Sequence, residues 1–134
     1  MNKLPSYAKA YVNRQDGISI SARSMYLQEE SNLIRNRHVF RYEIIFDNSR
    51  EQPIRILRRY WAVMDAHNEK YEVSGEGIIG KKTFIKPGKS FAYNSFCVLY
   101  TFTGSMKGFY TVKCGNAEIN IRTPRFHLHS HLLN

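Results

Sequence analysis

Hydrophobic and polar residues alternate with a period of two over most of the chain. In the clearest stretch, Phe40, Tyr42, Ile44 and Phe46 alternate with polar residues. The segment that begins after Gly17 shows the same pattern in residues 18–22. Such alternation is typical of strands that bury one face and expose the other. The pattern therefore predicts half-buried strands.

Turn signals divide the chain into further short strands. Strands are predicted at 54–65, 71–73, 84–85, 91–95, 106–114 and 117–123, whereas 28–37 is a polar loop. Gly115-Asn116 is typical of a hairpin turn between two of them. No helix of ten residues with a 3.6-residue period is predicted after residue 16. Seven or more short strands favour an all-β fold, an antiparallel β-sandwich or a barrel.

The same pattern predicts a core and two ends. We expect Trp61 and the apolar face of residues 40–46 to dominate the core, because large aromatic side chains bury the most area. Tyr110 is a candidate for a corner role in a sandwich. Residues 1–16 are predicted to be an N-terminal extension, extended or loosely helical, with weak tertiary ties. Residues 17–128 form the predicted domain, and residues 129–134 form a C-terminal tail.

Charge and composition limit the classes of partner that the protein is expected to bind. The 134 residues carry a formal net charge of +9, which favours acidic proteins, phosphates, nucleic acids or an anionic membrane face. The sequence has no run of five Lys or Arg residues, so we expect no nucleic-acid binding. No secretory signal and no apolar run long enough for a membrane span are present, so a cytoplasmic protein is expected. Cys97 and Cys114 are predicted to be buried thiols and not a disulfide framework.

Gly75, Gly77 and Gly80 have the G-x-G-x-x-G spacing of a dinucleotide-binding loop. That loop must open a helix, whose N-terminus holds the pyrophosphate. Here a predicted short strand and Pro87-Gly88 follow, so the chain should stay extended after Gly80. The glycines then form either a shaped loop between strands or an anion-binding nest of backbone N–H groups, to which Lys81, Lys82 and Arg59 add charge.

Arg59 lies in a predicted strand with the inward parity of Leu57, Trp61 and Val63. A buried guanidinium needs acceptors. Either a bulge turns it outward, or it finds carbonyls or a carboxylate such as those of Glu72 and Glu76. It has a structural role or lines a pocket.

His127, His129 and His131 share one face of a strand, opposite Phe126 and Leu128. Imidazoles at this spacing could bind Zn²⁺, Co²⁺ or Ni²⁺. The alternative is an exposed polar face near a terminus.

Catalytic patterns are absent from the sequence. We find no nucleophile elbow, no Ser-His-Asp order and no carboxylate cluster of the calcium or magnesium type. We therefore expect a protein that is not an enzyme and that needs no cofactor.

Several ordered motifs make the chain similar to a known family. They include Arg59-Tyr60-Trp61, the segment 72–80, Pro87-Gly88, Phe91-Ala92-Tyr93, Ser95, Cys97, Gly104-Ser105-Met106, Gly108, Tyr110 and a closing P-x-F-x-L at 124–128. With these, residues 17–128 resemble the ApaG domain.

The resemblance implies a fold and a set of functions. It implies a sandwich of the fibronectin type III or immunoglobulin kind and a protein-recognition role. It also implies a link to cobalt and magnesium efflux and a hypothesis of phosphate, pyrophosphate or nucleotide binding at residues 75–82. We expect an unknown protein partner, with homodimerisation through an exposed sheet edge as a further route.

Overall fold

A computed structural model of the chain describes residues 9–78, 80 and 83–130. These residues form ten strands and no helix. The strands are β1 (Tyr11–Gln15), β2 (Ile18–Tyr26), β3 (His38–Asn48), β4 (Ile54–Asp65), β5 (Lys70–Glu76), β6 (Thr83–Ile85), β7 (Ser90–Leu99), β8 (Thr103–Cys114), β9 (Ala117–Arg122) and β10 (Phe126–His129). The predicted all-β sandwich is confirmed, and β4 has the bounds that the alternation indicated.

The strands form two antiparallel sheets that pack face to face. One sheet has the order β1-β2-β3-β7. In the other, β8 and β4 are central, with β10 and β9 sharing the outer side of β8, and β5 and β6 sharing the outer side of β4. In the described part of the chain, β7 and β5 are therefore edge strands on one side of the sandwich, and β1 and β9 are edge strands on the other.

Aromatic side chains fill the space between the sheets. Trp61 contacts Tyr110 and Phe126 edge-on, with ring centroids 5.9 and 5.7 Å apart, and all three are buried. The face at residues 40–46 is buried with them, which confirms the predicted core. Tyr110 lies in the middle of β8, where its hydroxyl contacts that of Tyr93, so the predicted corner role is wrong.

Both cysteines are buried and free, as predicted. The residues that the structure describes include no helical segment of the length and apolarity that a bilayer crossing requires.

The N-terminal residues 11–15 differ from the prediction. They form β1, which pairs with β2 through a turn at Asp16-Gly17, where φ is 51° and 78°. Positive φ at both positions is typical of the two-residue hairpin turn that joins antiparallel strands. Asn13 and Gln15 then donate side-chain hydrogen bonds of 2.8 and 2.9 Å to carbonyls of β9. The prediction of weak tertiary ties is therefore wrong for this stretch, because its polar side chains hold one sheet to the other.

Two glycines let β8 pass close to β4. A Cβ on Gly108 would lie 1.8 Å from the carbonyl oxygen of Tyr60, and a Cβ on Gly104 would lie 2.4 Å from that of Met64. Both contacts are with backbone atoms, which cannot move aside without breaking the ladder. The glycines of the Gly104-Ser105-Met106 and Gly108 motif are thus required by strand packing.

We predict that Gly108→Ala lowers the free energy of unfolding by at least about 3 kcal/mol, because the new methyl group overlaps backbone. Gly88→Ala is the control: nothing lies near its Cβ, and only the strain of its positive φ of 72° remains, a cost of about 1–2 kcal/mol. Urea denaturation of both variants measures the difference. Equal stability of the two would contradict this account of the packing.

Candidate functional site

A bulge in β4 decides which side chains of that strand face the interior. The register against β8 shifts between Ile56 and Arg58, and Leu57 is buried in the bulge. After the bulge, Arg59 keeps the inward parity of Trp61. The sequence left open whether β4 contains a bulge near Arg59. The bulge is present, but it does not turn Arg59 outward.

Arg59 finds its acceptors in the main chain at the end of β5. Its Nη1 donates hydrogen bonds of 2.9 Å to the carbonyl of Glu76 and 3.2 Å to that of Gly77. The carboxylates of Glu72 and Glu76 do not take this role. Within residues 9–78, 80 and 83–130, no carboxylate lies at ion-pairing distance from this guanidinium. Arg59 thus remains a half-buried cation that only neutral groups solvate.

Gly75 leaves the room that the guanidinium occupies. It lies opposite Arg59 in the β4–β5 ladder, and a Cβ on it would be 2.8 Å from Nη2 of Arg59. Gly77 has a φ of 53° and donates its N–H to the carbonyl of Leu57 at 2.7 Å. The first two glycines of the motif therefore shape the segment around Arg59.

The first described element after Gly80 is a strand and not a helix, as predicted. Gly80 has a φ of 77°, and the chain then enters β6, which pairs with β4. Lys81 and Lys82 lie outside the described residues. Since Gly77 uses its N–H internally and turns its carbonyl toward Arg59, a nest of N–H groups would have to form without it.

A narrow cleft opens between the edge strands β5 and β7, with Arg59 in it. Its volume is about 130 Å³. The lining residues are Tyr42, Arg59, Trp61, Val63, Tyr71, Val73, Ser95, Phe96, Cys97 and Met106. Pockets for drug-sized ligands measure roughly 300–1,000 Å³. The cleft is therefore of a size to admit one side chain.

Exposed apolar side chains surround this cleft. Val73 is 43% exposed on β5, and Phe96 is 62% exposed on β7. Tyr71 crosses from β5 to β7, where its hydroxyl donates to the carbonyl of Val98 at 3.1 Å and lies 3.3 Å from Sγ of Cys97. Burial raises the pKa of the Tyr71 hydroxyl, and burial also raises the pKa of the Cys97 thiol. Both groups therefore stay neutral near pH 7.

The edge of β7 offers backbone groups toward the same opening. In an antiparallel strand, the N–H and C=O of one residue point to the same side. Tyr71 reaches Val98 from the open side, so Phe96 and Ala92, which share the parity of Val98, direct their backbone groups there too. None of the described strands pairs with β7 on that side.

The sequence did not single out Tyr71, Val73 or Phe96. The first two alternate with polar residues as in any half-buried strand. They are exposed because none of the described strands covers the outer edge of β5, and strand order cannot be read from the alternation in the sequence.

The histidines of β10 lie on the surface. His127 and His129 share the exposed face, and the ring of His127 contacts Tyr11 edge-on at 6.0 Å. His131 lies outside the described residues. In the described ranges, no group of three His, Cys, Asp or Glu side chains is placed to hold a metal ion. Metal binding by the three histidines stays a prediction.

Comparisons with known proteins find consistent likenesses. The family model of the ApaG domain matches residues 28–114. A curated Protein ApaG of Agrobacterium fabrum is 34% identical over 114 residues, 84% of this chain and 88% of that protein. One of Sinorhizobium fredii is 35% identical over the same shares. A crystal structure of a protein from Bordetella pertussis, titled as ApaA, superposes with a TM-score of 0.82 at 25% identity, covering 96% of this chain and 98% of that one.

We predict that Arg59→Ala lowers the free energy of unfolding by about 1–3 kcal/mol, because two charge-assisted hydrogen bonds to the main chain are lost. Gly75→Ala should also destabilise, since its methyl group displaces the same guanidinium. In the Arg59→Ala background, however, Gly75→Ala should be neutral or stabilising, because the space is empty and alanine is a better strand residue than glycine. Urea denaturation of the four proteins measures this double-mutant cycle.

Arg58→Ala is the control for the cycle. Arg58 is exposed and pairs with Glu118 on the outer face, so its loss should change stability by no more than about 0.5 kcal/mol. Additive effects of Gly75→Ala and Arg59→Ala would show that the glycine does not serve the guanidinium.

Proposed function

This chain belongs to the ApaG domain family, and on that premise we propose that it is a non-enzymatic binding module that recognises an extended acidic segment of a partner protein in the cleft between β5 and β7. The observation that carries the proposal is the half-buried Arg59, a cation with no carboxylate partner in the described part of the chain, beneath an exposed apolar rim. Charge, backbone and side chains each support it.

The charge of the cleft favours a carboxylate. A guanidinium binds a carboxylate with strong, often bidentate hydrogen bonds, and the benefit grows where water is excluded. Nη1 of Arg59 is engaged with two carbonyls, which fixes the orientation of the planar group. A cleft of about 130 Å³ admits an Asp or Glu side chain from a partner. The net charge of +9 speeds the approach of acidic segments.

The backbone of β7 favours an extended partner. A strand that pairs with an exposed sheet edge gains main-chain hydrogen bonds, and pockets for alternate side chains give specificity. A segment laid along residues 92–96 of β7 would direct every second side chain into the cleft. One of these would reach Arg59, and its neighbours two residues away would contact Val73 and Tyr71.

The family link to cobalt and magnesium efflux fits this role indirectly. A guanidinium repels metal cations, so the cleft itself is a poor metal site. We propose that any effect of this chain on efflux passes through the partner protein.

Pyrophosphate binding is the second candidate, since the same guanidinium would also attract a phosphate group. It would use Arg59 together with the loop that contains Gly80. Pyrophosphate is then a competitor of the acidic peptide. In that case the backbone amide NMR signals of residues 76–81 should shift at millimolar pyrophosphate.

The test is selection of a phage-displayed library of random linear peptides on the immobilised full chain. We predict enrichment of sequences in which an Asp or Glu lies two residues from an apolar side chain. Fluorescence anisotropy with the synthesised peptides then measures affinity. Val73→Asp should weaken binding at least about tenfold through charge repulsion, and Arg59→Lys should weaken it by a similar factor because the planar fork is lost.

Phe84→Asp is the control for Val73→Asp, since it introduces the same charge at a side chain that is 65% exposed on β6, outside the cleft. Enriched peptides without an acidic residue, or equal loss in the control, would overturn the proposal. If a second copy of the chain occupies the cleft instead, analytical ultracentrifugation should show a dimer. The substitution Val73→Asp should then dissociate this dimer.

A further inference from the structure

Tyr60 and Phe109 form a stacked aromatic pair on the outer face of the six-stranded sheet, on the opposite side of β4 from the cleft. They are opposite each other on β4 and β8, with ring centroids 5.0 Å apart and planes inclined by 27°. Both are partly exposed. Arg122 on β9 is the next cross-strand neighbour of Phe109. A row of two aromatic rings and a guanidinium thus crosses the middle of this face.

Basic side chains surround the aromatic pair. The strand register places on this face Arg55, Arg58, Lys70, Lys107, Lys113 and Arg122. The carboxylates there are those of Glu72, Glu76 and Glu118. Glu118 is paired with Arg58 at 3.0 Å. Over the whole of this face, cations therefore outnumber carboxylates by two to one, although the Glu72 carboxylate accepts a hydrogen bond from Tyr60.

The outer face of the four-stranded sheet has no such excess. Its register places Arg14, Arg23 and Arg41 beside Glu43 and Asp47, and Arg23 is paired with Glu43 at 2.7 Å. The basic surface is thus a property of one face and not of the whole molecule.

A shallow depression of about 680 Å³ adjoins the aromatic pair. It is lined by Phe109 and Arg122 together with Asn13, Arg14, Gln15 and Asn120. The depression is open to solvent, so it can admit part of an extended ligand. A planar base entering it would meet Phe109, with the guanidinium of Arg122 beside it for phosphate.

We propose that this outer face binds single-stranded nucleic acid, with bases stacked on Phe109 and Tyr60 and phosphates held by the surrounding Lys and Arg side chains. Stacking on exposed aromatic rings within a basic surface is how proteins bind single strands. A duplex keeps its bases stacked and offers only phosphates. The inference is independent of the peptide cleft, because it uses the opposite surface of β4 and β8.

Strand geometry explains why the sequence shows no basic run. In a strand, only every second residue lies on a given face. Lys107, Phe109 and Thr111 are thus neighbours on this face, although Gly108 and Tyr110 separate them in the sequence. The cationic surface is assembled across strands.

The test is fluorescence anisotropy with labelled oligo-uridine RNA and oligo-deoxythymidine DNA, and with a duplex of equal length. We expect both single strands to bind the full chain more tightly than the duplex, with affinity that falls as KCl rises. The two single strands show whether RNA or DNA is preferred. Phe109→Leu should weaken single-strand binding at least about fivefold, since leucine keeps the packing on Tyr60 but lacks a ring face.

Tyr100→Leu is the matched control, because Tyr100 is 63% exposed and lies outside this face. It should leave the affinity unchanged, and circular dichroism should show that both variants are folded. Lys107→Glu should weaken binding and reduce its salt dependence. Unchanged affinity in Phe109→Leu, equal affinity for the duplex, or no binding at low salt would each overturn the proposal.

Discussion

A guanidinium on the inner face of a β-sandwich must find acceptors, and much of this structure follows from that requirement. The bulge at Leu57 keeps Arg59 inward, and the carbonyls of Glu76 and Gly77 accept its hydrogen bonds. Gly75 leaves space for the planar group. The segment from Gly75 to Gly77 is therefore shaped around the side chain of Arg59. The same arrangement places a cation in the opening between β5 and β7.

The two sides of the sandwich, where the edge strands of the two sheets meet, differ in how the gap between the sheets is closed. On one side, Asn13 and Gln15 of β1 bond to the backbone of β9, which closes the gap between the sheets. On the other side, Tyr71 makes the cross-sheet contact with β7, and Val73 beside it stays exposed. Exposed edges invite pairing with other chains, and proteins normally block them. An edge left open beside a cation is a reason to expect a specific partner there.

Charge is also distributed unequally between the two outer faces. The four-stranded sheet pairs Arg23 with Glu43, whereas the outer face of the six-stranded sheet, which holds Tyr60 and Phe109, carries an excess of cations. The two proposed activities use opposite surfaces of the same sheet. Peptide and nucleic acid could therefore bind one molecule together, because Arg59 points inward and its neighbour Tyr60 points outward.

The sequence by itself determined most of the strands, most of the core and the strand, in place of a helix, that follows the glycine motif. Alternation with a period of two fixes which residues of one strand share a face, and turn residues such as Gly115 fix where strands end. Motif resemblance identified the family, which the comparisons confirm. Arg59 was recognised as a residue that needs acceptors, because its parity matched that of Trp61.

Only the tertiary structure decided which strands are neighbours, which edges stay uncovered and where the charges meet. Residues 11–15 were not predicted as a strand, because an edge strand whose polar side chains reach the other sheet lacks the apolar alternation of a half-buried one. The exposure of Val73 could not be predicted, because alternation along one strand does not show whether a neighbouring strand covers it. Pairing joins residues far apart in the chain, so a local pattern cannot encode it.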